Sequence, residues 1–282
     1  MIYKIITIKN DEYKITEQNN VQIKHKFLYE SVLNEIKCFK NEEEGITYYK
    51  FFNNITFIIL SAEDKISVDS IKVFGSDNIG DVYYSHFFDK DQLDDEISIS
   101  LRNSSTLKID NENSYNSKNM RVVFAEKGFV LCNKTQTYDL SDNFDRLLLL
   151  FLLSLAYNSY TEVLINDVTK AYNSSDYKKM IELRNEIYSF GLKCFFHNPV
   201  KQNRHETFNL WNLISENYYV NIKHHEMKSQ VADLTGVIES KYKDIEHKKS
   251  KRLEKTLSIF GFIIAITSLI GVYKDLKEFG LF

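Results

Sequence analysis

One uncharged run near the carboxyl end of the chain is the strongest constraint on its fold. Residues 256–273 read TLSIFGFIIAITSLIGVY, which is 18 positions without a charged side chain. As an α-helix at ~1.5 Å per residue, this run is about 27 Å long and matches the hydrocarbon thickness of a bilayer. It therefore predicts a transmembrane helix, with a buried helix of a soluble bundle as the alternative. A second apolar run, residues 147–156, is too short to span and predicts a buried core helix.

The charges that flank the long run predict its orientation. Only Lys274 and Lys277 follow it, and they are offset by Asp275 and Glu278. Five basic residues precede it: Lys248, Lys249, Lys251, Arg252 and Lys255. The positive-inside rule then places residues 1–255 in the cytosol, and the apolar stretch at the amino terminus is too short for a signal peptide. We expect a single-pass protein of the bacterial inner membrane whose basic cluster contacts anionic lipid.

Composition and motifs argue against several classes of function. The 282 residues include 36 Lys and Arg against 39 Asp and Glu, so the chain lacks the positive charge of a protein that coats nucleic acid. Its cysteines, Cys38, Cys132 and Cys194, contain no CxxC pair, which argues against a disulfide framework or a thiolate zinc site. The sequence has no GxSxG, GxxxxGK[ST], GxGxxG or HExxH motif. We therefore expect no enzyme activity, no cofactor and no metal site.

A pair of histidines and a group of acidic residues could each bind a metal ion or could simply be exposed to solvent. His224 and His225 are adjacent, and neighbouring side chains on a helix point about 100° apart, so they do not share a face. We interpret them as a solvated, pH-sensitive stretch. The acidic group of Asp91, Asp94, Asp95 and Glu96 is likewise interpreted as a solvated loop, with a divalent cation as the alternative.

Residues 1–140 have the short, alternating runs of an α+β domain. Two hairpins are predicted, one from 45–52 and 55–60 across Asn53-Asn54, the other from 120–124 and 129–132 across Glu126-Lys127-Gly128. Further strands are predicted at 2–6, 70–74, 82–88 and 97–102, with a helix at 27–39. We expect this mixed α/β domain to be a cytosolic sensor.

The pattern changes to helical periodicity after residue 140. Helices are predicted at about 142–172 and 174–196, and Pro199 separates them from one continuous helix of about 70 residues that starts near Glu206 and enters the membrane. Apolar positions from Met227 onward are spaced 4-3-4-4-3-4 and need packing partners. The predicted order is thus a sensor domain (1–140), a helical stalk (141–255), a transmembrane helix (256–273) and a short tail (274–282).

Two sets of residues are candidates for function. Small residues at 3-4-3 spacing form a stripe on the membrane run that predicts helix packing or, through its hydroxyls, a pore lining: Ser258, Gly261, Ala265 and Ser268. Scattered cations in the first domain are candidate phosphate contacts for a nucleotide or short oligonucleotide, with ordinary surface charge as the alternative: Lys72, Arg102, Lys108, Lys118 and Arg121.

Three segments resemble the CorA superfamily of membrane proteins, above all its single-span branch. These are SLAYNSYTEVL (154–164), ELRNEIYSFGLKCFFHNPV (182–200) and the basic segment that leads into IFGFIIAI. Metal-transporting members carry Gly-Met-Asn at the end of the first span, where this chain has Gly271-Val272-Tyr273. The chain is also similar to antiphage membrane effectors of the Hailong type.

The resemblance implies a homo-oligomeric CorA-like effector or ion channel in the inner membrane, gated by ligand binding to the cytosolic domain. One helix cannot enclose a pore, so this function needs four or more copies. Two alternatives remain open from the sequence. One is a tail-anchored structural or tethering protein, and the other is a CorA-like divalent cation transporter.

Overall fold

A mixed β-sheet followed by long helices forms the architecture of the chain. The computed structural model describes residues 1–8, 21, 26–41, 46–52, 55–61, 79–135, 139–201 and 204–278. The strands are β1 (Ile2–Ile8), β2 (Ile36–Asn41), β3 (Ile46–Phe51), β4 (Ile55–Ser61), β5 (Ile79–Phe88), β6 (Ser114–Asn116), β7 (Met120–Ala125) and β8 (Gly128–Asn133). The helices are α1 (Glu30–Leu33), α2 (Asp94–Arg102), α3 (Ser141–Asn173), α4 (Tyr177–Lys193), α5 (His205–Asn217) and α6 (Val220–Glu278).

The described strands form one sheet in the order β2-β3-β4-β1-β5-β8-β7-β6. All neighbours are antiparallel except β5 and β8, which are parallel. A parallel pair needs a crossover connection, and α2 lies in that connection. Ile97 and Leu101 of α2 pack against Val123 and Val130 on one face of the sheet.

The opposite face of the sheet packs on the helices. Successive side chains of a strand point to opposite faces, and the side chains on this face join one buried cluster with residues from α3, α4, α5 and the first part of α6. The ring of Phe129 in β8 lies 5.5 Å from that of Phe144 and 5.3 Å from that of Phe151, both in α3. Sheet and helices therefore share one hydrophobic core.

Helix α3 is the centre of this core. All ten residues of the apolar run 147–156 are buried, which confirms the prediction of a core helix there. Helix α6 packs on α3 and α4 through Met227, Val231, Leu234 and Ile238. Their 4-3-4 spacing places all four on one face of the helix.

The strand prediction for residues 97–102 is wrong, because this segment lies in helix α2. The apolar alternation of ISISL is typical of a strand, but Ile97 and Leu101 are also four residues apart and meet the sheet from one helical face. Glu96 accepts a hydrogen bond from the backbone N–H of Leu93 at 3.1 Å, which caps the amino end of the helix.

Two predicted helices also differ from the structure. Residues 27–39 form one turn, α1, and then β2, because residues 36–41 pair with β3 along their whole length. The continuous helix from Glu206 is interrupted between α5 and α6, where Tyr219 has a left-handed φ of 55°.

The remaining predictions for these regions have mixed outcomes. Both hairpins are confirmed in their pairing, as are the strands at 2–6 and 82–88. The predicted strand at 70–74 and the Asn53-Asn54 turn lie outside the described residues.

The contact between α3 and the sheet generates a stability prediction. Phe151→Ala removes a fully buried ring from this interface, and we expect the free energy of unfolding to fall by about 3–5 kcal/mol. Leu192→Ala is the control, because Leu192 is 82% exposed. Urea unfolding followed by the fluorescence of Trp211 measures both changes. Equal losses in the two variants would contradict the packing described here.

Candidate functional site

Helix α6 has two parts with opposite surroundings. The helix contains 59 residues, which corresponds to about 90 Å at ~1.5 Å per residue. Its first part, up to Ile238, packs in the core, whereas every described side chain in 242–271 is exposed. Large apolar side chains dominate the end of this exposed part: Leu257, Ile259, Phe260, Phe262, Ile263, Ile264, Ile266, Leu269 and Ile270.

By length and composition, two described helices qualify as candidate membrane spans. The apolar window of α3 is 72% buried inside the protein, whereas the window in α6 is 0% buried. Burial explains the composition of α3, because a core helix needs apolar side chains on most of its surface. Among the described residues, nothing covers the apolar end of α6, which is therefore the candidate membrane segment.

The small-residue stripe lies on this uncovered segment. Ser258, Gly261, Ala265 and Ser268 are all exposed, and a Cβ added at Gly261 meets no atom within 4 Å. At about 100° per residue, the stripe lies roughly 120–200° around the helix from Ile238. It therefore faces away from the side of α6 that packs on the folded core.

The hydroxyl groups of two threonines in the segment are used within the helix. Thr256 donates to the carbonyl of Arg252 at 2.9 Å, and Thr267 donates to that of Ile263 at 3.1 Å. Such back-bonding to the preceding turn satisfies a hydroxyl without another partner.

The start of α6 is tied to the sheet by Tyr218, a residue that no sequence motif singles out. Its hydroxyl donates to the carbonyl of Ala125 at 2.6 Å and lies 3.1 Å from that of Gly128, so it bonds the β7–β8 turn. Asn158 of α3 donates to the Tyr218 carbonyl at 2.8 Å. A solvent-accessible ion pair of 2.6 Å between Lys223 and Glu162 adds a contact one turn further along α6.

His224, near the start of α6, is buried. This corrects the interpretation of His224-His225 as a solvated pair. The His224 ring stacks on Phe195 with 3.5 Å between centroids and 2° between planes. Its Nε2 has no hydrogen-bond partner among the described residues. Burial and then the positive charge of Lys228 lower the pKa of His224 to about 4, so the ring is neutral at pH 7. His225 is exposed, as predicted.

The candidate phosphate contacts are spread over the sheet domain. Arg121 of β7 pairs with Asp94 at the start of α2, and Arg102 at the end of α2 pairs with Glu126 at 3.9 Å. The two ion pairs thus lie at opposite ends of a nine-residue helix, roughly 12 Å apart along its axis. The structure does not bring them together.

The other three cations of the set have different surroundings. Lys108 pairs with Asp110 at 3.7 Å, Lys118 is exposed, and Lys72 lies outside the described residues. Three of the four residues interpreted as a solvated acidic loop, Asp94, Asp95 and Glu96, belong instead to the first turn of α2.

Cysteine and metal chemistry have little basis in the described part of the chain. There, no group of three or more His, Cys, Asp or Glu side chains is arranged to hold a metal ion. Burial raises the pKa of Cys132 and of Cys194 to about 11. Both side chains are therefore protonated thiols at neutral pH, which are poor nucleophiles.

The buried His224 generates a prediction about acid stability. The unfolded chain binds a proton at the ordinary histidine pKa of about 6.5, whereas folded His224 binds it only near pH 4. Stability is therefore complete above about pH 6.5 and is lost progressively as the pH falls towards 4. We expect His224→Phe, which keeps a flat ring on Phe195, to weaken this loss in melting curves recorded from pH 7 to 4.

His225→Gln is the matched control and should melt like the wild type across this range. An acid dependence that is the same in His224→Phe and in the wild type would contradict the assignment.

Comparisons with known proteins complete the description of the site. A scan against protein-family models finds no match, and searches of curated proteins and of solved structures find no significant similarity. The resemblance to the CorA superfamily thus stays a prediction from the residues quoted above.

Proposed function

We propose that this chain is a homo-oligomeric membrane protein whose α6 helices cross the bilayer at residues 256–273 and together enclose an ion-conducting pore. One observation carries the proposal: one end of α6 is anchored in a packed core, and its other end is apolar and not covered by any part of the chain that the structure describes. A bilayer supplies the missing cover, because lipid tails remove these side chains from water.

The charges around the segment support the cytosolic position of the folded body. Lys248, Lys249, Lys251, Arg252 and Lys255 are all exposed on the last turns of α6 before the apolar segment. Such a cluster matches the positive-inside rule and the negative surface of a cytoplasmic leaflet. Anionic lipid is therefore part of the proposal.

The position of the small-residue stripe supports self-association. The cytosolic body lies on one side of α6, so neighbouring copies can bring their helices together through the other side. That side has Gly261, where another backbone can approach closely. Four or more copies are proposed, because fewer helices leave no room for a pore.

Ligand gating and an antiphage role belong to the proposal through the CorA-like resemblance. The exposed Lys118 is the best-placed cation of the set for a nucleotide phosphate, since Arg102 and Arg121 already have carboxylate partners. A nucleotide that binds the arginines has to displace Glu126 or Asp94.

A tail-anchored tether is the second candidate, and a specific observation favours it. The hydroxyls of Thr256 and Thr267 bond to the helix itself, so few polar groups of the segment remain to line a water-filled pore. In a tether, the same stripe serves helix packing alone. Ion flux through proteoliposomes separates the two candidates.

Removal of the apolar segment tests the membrane anchor. A chain that ends at Lys255 keeps all packed residues of α6, and we expect it to be soluble after ultracentrifugation of a cell lysate. A chain that ends at Glu278 is the control and should sediment with membranes. If the shorter chain also sediments, another part of the protein is the anchor.

Two glycines in the segment test the oligomer and the pore. A Cβ added at Gly261 or at Gly271 meets no atom within 4 Å, but the two glycines lie about 80° apart around the helix. Gly261→Leu should reduce the subunit number measured by mass photometry in detergent and abolish K⁺ flux into proteoliposomes, because it separates the helices. Gly271→Leu should change neither, and equal effects would remove the argument for this face.

A further inference from the structure

Just before the membrane segment, Glu254 and most of the basic side chains lie on different sides of α6. Ile238 marks the side that packs on the cytosolic core. At about 100° per residue, Glu254 lies roughly 160° from Ile238. Four of the five cations lie within about 100° of Ile238, whereas the fifth lies at about 140° from Ile238 and about 60° from Glu254: Lys249, Arg252, Lys248 and Lys255, then Lys251. All six side chains are exposed.

The position of the cytosolic body decides which side meets other copies. The sheet and α3–α5 occupy the Ile238 side of α6, so neighbouring bodies prevent helices from meeting there. In a ring of copies the opposite side of α6 faces the symmetry axis. Glu254 is therefore on the axis side, while most of the cations face outward to the lipid headgroups.

We propose that Glu254 forms a ring of carboxylates at the cytosolic entrance of the pore and that the permeant species is a cation. This inference rests on the proposed function and adds the substrate class to it. Glu254 lies one turn before Ser258, the first residue of the small-residue stripe. A ring of like charges at a constriction raises the local concentration of counter-ions and repels ions of its own sign.

The outward cations do not oppose this selectivity. Anionic headgroups lie beside them and neutralise much of their charge, and interactions with the pore axis are screened over about 8–10 Å. Lys251 lies about one turn farther from the apolar segment than Glu254, so Glu254 is the charged side chain nearest the entrance on the axis side.

The test uses the full-length protein in vesicles of phosphatidylethanolamine and phosphatidylglycerol, 3:1. Reversal potentials in a KCl gradient give the ratio of K⁺ to Cl⁻ permeability. We expect a ratio of about 10 or more for the wild type, the low end of the counter-ion enrichment found in charged clefts. Glu254→Gln should lower the ratio towards 1, and Glu254→Lys should invert it.

Glu246→Gln is the matched control, because Glu246 is exposed on the same helix but lies about 80° from Ile238. It should leave the ratio unchanged. If the protein conducts and both Glu254 variants keep the wild-type ratio, or Glu246→Gln changes it as much, this inference fails and the proposed pore stands. If the wild type is oligomeric but does not conduct, the proposed pore fails and the inference fails with it.

Discussion

The uncovered apolar end of α6 is the constraint on which the interpretation of this protein depends. Ten large apolar side chains between Leu253 and Ile270 are exposed. Each gains roughly 1.5–3 kcal/mol when it is fully removed from water, so together they equal or exceed the whole stability of an ordinary domain. A chain with this surface requires a bilayer or a partner, and the basic residues that precede the segment favour a bilayer.

Helix α6 connects the exposed apolar segment to the folded core without a break. Four apolar residues of α6 pack on α3 and α4, and the hydroxyl of Tyr218 fixes the beginning of the helix to the β7–β8 turn. Because the described helix is continuous from Val220 to Glu278, the side that faces the core determines which side faces outward farther along. The orientation of Glu254 and Gly261 is therefore set by the contacts of the first part of α6 with the folded core.

Local sequence patterns correctly predicted those elements whose pattern of apolar residues matches the structure that the surrounding fold requires. The hairpins have alternating side chains around a turn, and α3 has a short run of leucines that only a core explains. Helix α2 was missed because its isoleucines alternate like those of a strand, and only the sheet surface beneath Ile97 and Leu101 selects the helix. Nothing in the sequence marks the break at Tyr219, since a tyrosine has no preference for a positive φ. The partners of Arg102 and Arg121 depend on how α2 crosses the sheet, which no local pattern determines.

The stretch of α6 between its last packed residue and the apolar segment sets the distance between the folded body and that segment. Residues 239–255 form bare helix of about 25 Å at ~1.5 Å per residue, with its described side chains exposed or half-buried. In the proposed ring of upright helices, this length would act as a spacer that holds the folded bodies above the lipid surface. In the proposed pore, ions would reach the bilayer sideways through windows between neighbouring helices, so an open route through the folded bodies would be unnecessary.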